Sequence, residues 1–258
     1  MIDGINPSSP PTLALGAPPP EAVHPATDNM APMIESPWQG ALWLARDFCL
    51  IDGANGDTRS HTHYAHQVLL ARGAPVHLLV EGEPVSGQAV LVESMREHAL
   101  ALPGQVLLAV YAEPLAFAPQ ALLALVAEAG TDLQALAERL LAAPRPSLDA
   151  RLQRALDEVD ELLADKVSAQ ALASRACLSL SQLERLFGEQ VGLSVRRLVL
   201  WRRLRLAVRL GLEGQSLTQA AHGAGFADAA HFSRTMRATF GIRADRNLGN
   251  LQLHLLGD

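Results

Sequence analysis

The chain has 258 residues, 49% hydrophobic and 19% charged, with a formal net charge of −6; that is room for one or two domains of about 100–200 residues and enough apolar material to fill ordinary cores. No uninterrupted apolar run approaches the ~18 residues of a membrane span, and Cys49 and Cys177, far apart and outside any CxxC, argue against a disulfide framework or a cysteine zinc site and read as reduced thiols. The net charge conceals a polarity: residues 1–165 hold 8 Arg against 21 Asp and Glu, whereas 166–250 hold 13 Lys and Arg against 5 Asp and Glu. A basic module that meets a polyanion, attached to an acidic one that does not, fits this asymmetry; a solvated basic face fits it too.

In chain order, residues 1–37 are rich in Pro, Gly, Ala and Ser without apolar periodicity and are expected to form a disordered leader. They carry neither a basic n-region nor an apolar h-region, so a secretory signal is not expected and the cytoplasm is. From Trp38 to about Pro114 the runs ALWLA, HQVLLA, VHLLV, QAVLV, ALAL and QVLLAVYA, broken by Gly, Pro, Asp and Asn, predict many short strands, as in a sandwich or barrel. PQALLALVAEAGTDLQALAERLLAA then predicts one or two amphipathic helices, closing a first domain over 38–143. Their apolar faces suit a dimer interface or packing onto the barrel. The PRP at 144–146 marks a linker over 144–149, because proline and the residue before it resist helix.

Beyond the linker every segment reads as helix. LDARLQRALDEVDELLAD is followed by five labelled starts, at Ser168, Ser179, Ser194, Ser216 and Asp228. Two are capping boxes, Ser179 with Gln182 and Ser216 with Gln219, in which hydroxyl and amide each satisfy an orphan backbone N–H. SAQALASRACLSLSQLERLFGEQVG and SLTQAAHGAGFADAAHFSRTMRATFG are each helix, tight turn, helix, the arrangement that offers its second helix to a DNA major groove. Small residues (Ala171, Ala173, Ala176; Ala220, Ala221, Ala224) sit where the first helix approaches the second, and apolar anchors recur at helical spacing. The outer faces present Ser181, Gln182, Glu184 and Arg185 in the first unit, and Ala229, Ala230, His231, Ser233, Arg234 and Arg237 in the second. SVRRLVLWRRLRLAVRLGLE between them is a spacer of roughly 28 Å, near the ~34 Å between successive major-groove faces. Its six arginines, Arg196, Arg197, Arg202, Arg203, Arg205 and Arg209, exceed what a spacer needs and are expected to meet phosphates, neighbouring acids or solvent.

Tandem units in register, with GF followed by HFSRTMRATFG in the second, resemble the C-terminal DNA-binding domain of AraC-type transcription regulators, over roughly residues 150–246. The resemblance implies contacts with double-stranded DNA from Ser179, Ser181, Gln182, Glu184 and Arg185 and from Ala229, Ala230, His231, Ser233, Arg234 and Arg237, and contact with RNA polymerase. Arg185 can pair bidentately with guanine, which is worth about 1–3 kcal/mol of discrimination. Gln182 reads a base or caps its helix; Glu184 accepts from cytosine or holds Arg185. The alanines opening the second recognition helix let backbone approach DNA and touch thymine methyls, so that helix is expected to position more than to read. Many family members follow the last glycine with Pro and, three residues on, an aromatic; here Ala244 and Asn247 stand there, leaving 247–258 as a tail of unspecified packing.

The acidic part, with His61, His63 and Gln67 in GDTRSHTHYAHQVLLARG and His98 in ESMREHALALPG, resembles a cupin-type barrel. Residues two apart on a strand share a face, so His61, His63 and His98 can surround one metal ion. The cupin motif's usual Glu is Gln67 here, and AraC-type sensors often lack metal, so the four residues are taken as effector-pocket candidates with no metal and no cofactor. The expected architecture is α+β: a cupin-like N-terminal β-barrel followed by helices, then an all-α domain of two helix-turn-helix units joined by a long helix. The expected function is a sequence-specific, effector-controlled, homodimeric regulator rather than an enzyme. The alternatives are a metal-dependent cupin enzyme with a helical appendage and a non-specific DNA binder.

Overall fold

Residues 36–165 and 167–257 are described in a computed structural model; the leader expected over 1–37 lies almost wholly outside them. Eight strands come first: β1 Gln39–Leu44, β2 Phe48–Ala54, β3 His66–Ala71, β4 Val76–Val80, β5 Glu83–Gly87, β6 Ala89–Val92, β7 His98–Leu100 and β8 Val106–Ala112. Helices follow: α1 Pro119–Ala129, α2 Leu133–Ala142, α3 Ala150–Glu161, α4 Ala169–Arg175, α5 Leu180–Leu186, α6 Val195–Leu212, α7 Leu217–Gly223, α8 Ala229–Phe240 and the short α9 Ala244–Asn247. A last strand, β9 Leu251–Leu255, follows.

The strands form two sheets, ordered β6-β3-β8-β2-β1-β9 and β5-β4-β7. In the larger sheet the period-2 rule sorts β8 cleanly. Leu108, Val110 and Ala112 point to a core shared with Phe48, Leu50, Val68 and Leu70, which α1 and α2 cover with Leu122, Val126, Leu136 and Leu140. Leu107, Ala109 and Tyr111 point the other way, into a core reached by the smaller sheet through Val76, Leu78 and Leu100. Both faces of β3 and β8 are therefore buried, which is why HQVLLA and VLLAVYA are nearly continuous apolar runs. The apolar faces of α1 and α2 are used on the chain's own sheet.

Three strands fall outside the six apolar runs of the sequence. The EPVSG of β5 is an edge whose side chains are mostly exposed, so burial imposes no apolar pattern on it. The FCLIDGA of β2 is cut by Asp and Gly that meet β8 and β1 near the rim. The third, β9, lies in the stretch expected to be a tail: it pairs parallel with β1, from Gly40↔Leu251 to Leu44↔Leu255, and His254 stacks on Trp43 with ring centroids 4.8 Å apart. Ala244 and Asn247, where the chain departs from the AraC pattern, serve this return. Ala244 is fully buried, and the buried Asn247 accepts from the Trp38 N–H at 2.9 Å while donating to the Arg243 carbonyl at 2.7 Å.

The helical part follows its caps. Ser168, Ser179, Ser194, Ser216 and Asp228 each accept a backbone N–H at the start of α4, α5, α6, α7 and α8, and both capping boxes are formed. Each such cap is worth about 1 kcal/mol, and together they let helices as short as seven residues start and stop where they do.

Candidate nucleic-acid interface and the cavity behind it

The two helix-turn-helix units are built alike down to their turns. In the first, the Leu178 N–H reaches the Ala173 carbonyl at 2.8 Å; in the second, the Phe226 N–H reaches the Ala221 carbonyl at 2.9 Å. Both turns require one residue in the left-handed region: Gly225 (φ 78) in the second and, less comfortably, Cys177 (φ 56) in the first. Gly225 is required on a second count, because a Cβ there would stand 2.4 Å from the Leu163 carbonyl oxygen. Leu183, Leu186 and Phe187 bury the inner face of the first recognition helix, Phe232 and Met236 that of the second.

On the outer face of α5, Ser179, Ser181, Gln182, Glu184 and Arg185 are all exposed. Gln182 is engaged in the capping box, its Oε1 accepting the Ser179 N–H at 2.9 Å. Arg185 pairs with Glu189 at 3.5 Å, one turn on, rather than with Glu184. That i,i+4 pair is exposed on both sides and is worth about 0.3–0.5 kcal/mol, so a better acceptor displaces it readily. In α8, Ala230 and Arg234 are exposed, while Ala229, His231, Ser233 and Arg237 are half-buried. The His231 ring stands edge-on to Phe226 at 5.2 Å, and Asp228 caps its N–H at 2.6 Å. Ala229, Ala230, Ser233, Arg234, Arg237 and Arg243 line one shallow depression on this face.

The six arginines of α6 divide. Arg202 reaches Asp160 at 2.5 Å and the Leu156 carbonyl at 2.9 Å; Arg203 donates to the carbonyls of Leu163 and Asp165; Arg209 lies 3.5 Å from Glu213. Arg205 crosses to the sheet, donating to the carboxylate of the buried Glu113 and, at 2.7 Å, to the Ala45 carbonyl. Glu113 also accepts from the Trp201 indole at 2.9 Å. Arg196 and Arg197 are exposed. Most of the basic excess in α6 is thus internal framework rather than DNA-facing charge. Glu113, which terminates an apolar strand in YAEP, was not singled out from sequence; an acid ending a buried run was the available signal.

Between the larger sheet and the helices lies a small, mainly apolar cavity of about 80 Å³, with His61, His98, Gln67, Tyr111, Trp201 and Phe240 among its walls. That is well below the ~300–1,000 Å³ of drug-sized pockets. The structure brings the sequence-nominated residues together here. His61, His63, Gln67 and His98 are all at most 7% exposed, and one ring nitrogen from each histidine lies within 4.8 Å of those of the other two. Burial and then the neighbouring His98 hold the His61 imidazole down to about 4; burial lowers His63 and His98 as well. All three are neutral at pH 7. Gln67 donates to the Tyr111 hydroxyl at 2.7 Å.

This cavity touches the second recognition helix directly. Phe240, the last residue of α8, has its ring 5.8 Å from His63 and 6.0 Å from Tyr111. Gly241 takes the left-handed cap (φ 69) and its carbonyl accepts the Arg59 N–H at 3.0 Å; a Cβ on it would lie 2.3 Å from the Arg59 oxygen.

A β-sheet part with a lined cavity packs directly against tandem helix-turn-helix units, the class of element that offers a helix to a DNA major groove. Residues 172–246 match the family model described as a helix-turn-helix domain. The C-terminal part of the chain thus carries a helix-turn-helix domain of the AraC type. It is 35% identical over 130 residues to the HTH-type transcriptional activator RhaS of Escherichia fergusonii, covering 44% of this chain and 46% of that one. It is 30% identical to a transcriptional regulator with an AraC-type DNA-binding domain from Chromobacterium violaceum, covering 34% of this chain and 79% of that one with a TM-score of 0.33. A crystal structure of an apo ToxT variant from Vibrio cholerae shares the two-part fold, with a TM-score of 0.51 at 11% identity over 80% of this chain and 98% of that one. The chain spans about half the length of the RhaS relative. Among the described residues no helix is long and apolar enough to cross a membrane.

Proposed function

We propose that this protein is a sequence-specific transcription regulator of double-stranded DNA, acting in the cytoplasm without catalysis and controlled by an effector held behind α8. The carrying observation is the pair of matched recognition helices, with exposed Ser181, Glu184 and Arg185 on one and exposed Ala230 and Arg234 on the other. The 18-residue α6 between them is about 27 Å long. Arg185 is the base reader: it is held by a weak surface pair with Glu189, and a guanidinium freed from that pair presents two donors to guanine O6 and N7. Ser179 and Gln182 hold the helix start and position it. In α8 the small Ala229 and Ala230 let the backbone approach, while Arg234 and Arg237 meet phosphates, a division that makes this helix the positioning one. Homodimerisation on paired half-sites and contact with RNA polymerase belong to the same reading.

Against an enzyme, the buried acid in the same cavity, Glu113, is bound by Trp201 and Arg205 rather than aimed at the histidines. The test is selection from a random duplex pool at physiological salt. We expect an enriched motif of two short elements about one helical turn apart, and for Arg185→Ala a relaxed preference at one guanine. Uniform weakening of Arg185→Ala on all sequences would assign it to phosphate, and no enrichment by the wild type would overturn the reading.

A further inference from the structure

The three histidines share an orientation that hydrogen bonding enforces. The Nδ1 of each meets a backbone carbonyl: His61 that of Arg59 at 2.7 Å, His63 that of Ala65 at 2.9 Å and His98 that of Arg96 at 2.9 Å. A carbonyl only accepts, so each Nδ1 carries the proton and each Nε2 keeps its lone pair. The Nε2 atoms of His63 and His98 are buried with no hydrogen-bond partner. Leaving a buried polar atom unsatisfied costs about 1–3 kcal/mol, and this cluster does so twice in neighbouring rings whose centroids are 4.8 Å apart. His61 completes the triangle, 4.3 Å from His98 and 5.6 Å from His63 between centroids. The backbone holds it there: His61 and His98 exchange N–H···O bonds of 3.0 Å in an isolated antiparallel bridge. Beside them the Gln67 Oε1 is also buried and unpartnered, its amide nitrogen being taken by Tyr111.

We infer that His61, His63 and His98 form a binding site for one divalent transition-metal ion of the zinc kind, and that its filling is read by the second recognition helix through Phe240 and Gly241. The second half rests on the reading as a DNA-binding regulator; the first does not. Three imidazoles with a ring nitrogen each within 4.8 Å of the other two, each braced at Nδ1 by a backbone carbonyl, are the donor set and outer shell that such ions take. The ligands include no carboxylate, so calcium and magnesium, which demand oxygen, are disfavoured. His61 and His98 also line the small cavity, the side from which a further ligand such as water would complete a three-histidine site. Coupling follows from contact. Drawing the three rings onto an ion moves His63 against Phe240 and His61 against the Arg59–Gly241 link, both at the C-terminal end of α8. An ion that binds better to one placement of α8 than to another shifts DNA affinity by that differential.

The test uses the full chain, stripped with chelator and titrated with Zn²⁺ by calorimetry and with Co²⁺ by visible absorption, alongside His63→Gln and His98→Gln. DNA affinity is read by fluorescence anisotropy on the selected duplex with and without Zn²⁺. The expected result is one equivalent of metal per chain, a tetrahedral or five-coordinate Co²⁺ spectrum, loss of both in the variants, and an at least fivefold change in DNA affinity that only wild type shows. Substoichiometric binding by the wild type, or undiminished binding by folded variants, would overturn the site; the wild-type titration stands even if a variant fails to fold. Stoichiometric metal with unchanged DNA affinity would overturn the coupling alone. Failure to select any duplex would fall on the regulator reading and leave the metal titration intact.

Discussion

The clamp between α6 and the sheet permits a calculation of what holds the two parts together. The Arg205 and Glu113 side chains are 15% and 7% exposed, so the pair is screened far less than a surface bridge. In Arg205→Met the aliphatic stem is kept but the charge is lost. Glu113 then retains only the Trp201 indole, and the Ala45 carbonyl loses its donor. Removing one member of a buried pair leaves an uncompensated charge and costs about 3–5 kcal/mol, a large part of a typical stability of about 5–15 kcal/mol. In Glu113→Gln the indole keeps an acceptor and Arg205 keeps Ala45, so we expect the smaller loss of about 1.5–3 kcal/mol of a charge-assisted hydrogen bond. The double variant has neither a stranded carboxylate nor a stranded guanidinium. It should therefore lose at least about 1.5 kcal/mol less than the sum of the single losses, within the range of coupling found for residues in contact. Urea unfolding of the four proteins, followed by tryptophan fluorescence because Trp201 is at the joint, measures each term. Additivity within about 0.5 kcal/mol would refute the argument that the two charges depend on each other.

Other substitutions test other joints. Cys177→Gly relieves a left-handed non-glycine turn residue and should stabilise by about 0.5–1 kcal/mol, read as a raised melting temperature; destabilisation would mean the thiol side chain contributes packing that its exposure hides. Gly241→Ala combines a positive φ with a Cβ against the Arg59 backbone, and a loss of about 2 kcal/mol or more is expected in thermal melts. An unchanged melt would show that the Arg59 segment gives way freely. Burial pushes the Cys49 thiol up to about 11, whereas Cys177 is exposed. A thiol reagent at pH 8 should therefore label Cys177 faster than the half-buried Cys49, with Cys177→Gly abolishing the fast phase. Two equally fast thiols would contradict the difference in environment between β2 and the exposed turn at Cys177.

The helical half was readable from sequence because its determinants are local. A cap side chain satisfies N–H groups two or three residues away, and apolar anchors recur every three or four residues. The starts at Ser168, Ser179, Ser194, Ser216 and Asp228 could thus be marked without knowing any distant contact, as could the six apolar strand runs. Sequence also nominated the histidines on the ground that residues two apart share a strand face, although His61 and His63 lie in the segment before β3 and only His61 forms a bridge, to His98.

Tertiary structure alone decided the rest. That α1 and α2 spend their apolar faces on their own sheet, that Arg205 answers Glu113 rather than a phosphate, and that Leu251–Leu255 returns to pair with Gln39–Leu44 all depend on partners far along the chain. So does the approach of Phe240 and Gly241 to His63 and His61. A local pattern states that a residue is apolar, charged or extended; it carries no information about which distant group will satisfy it. The choice is made when burial leaves each polar atom and each sheet edge one available partner.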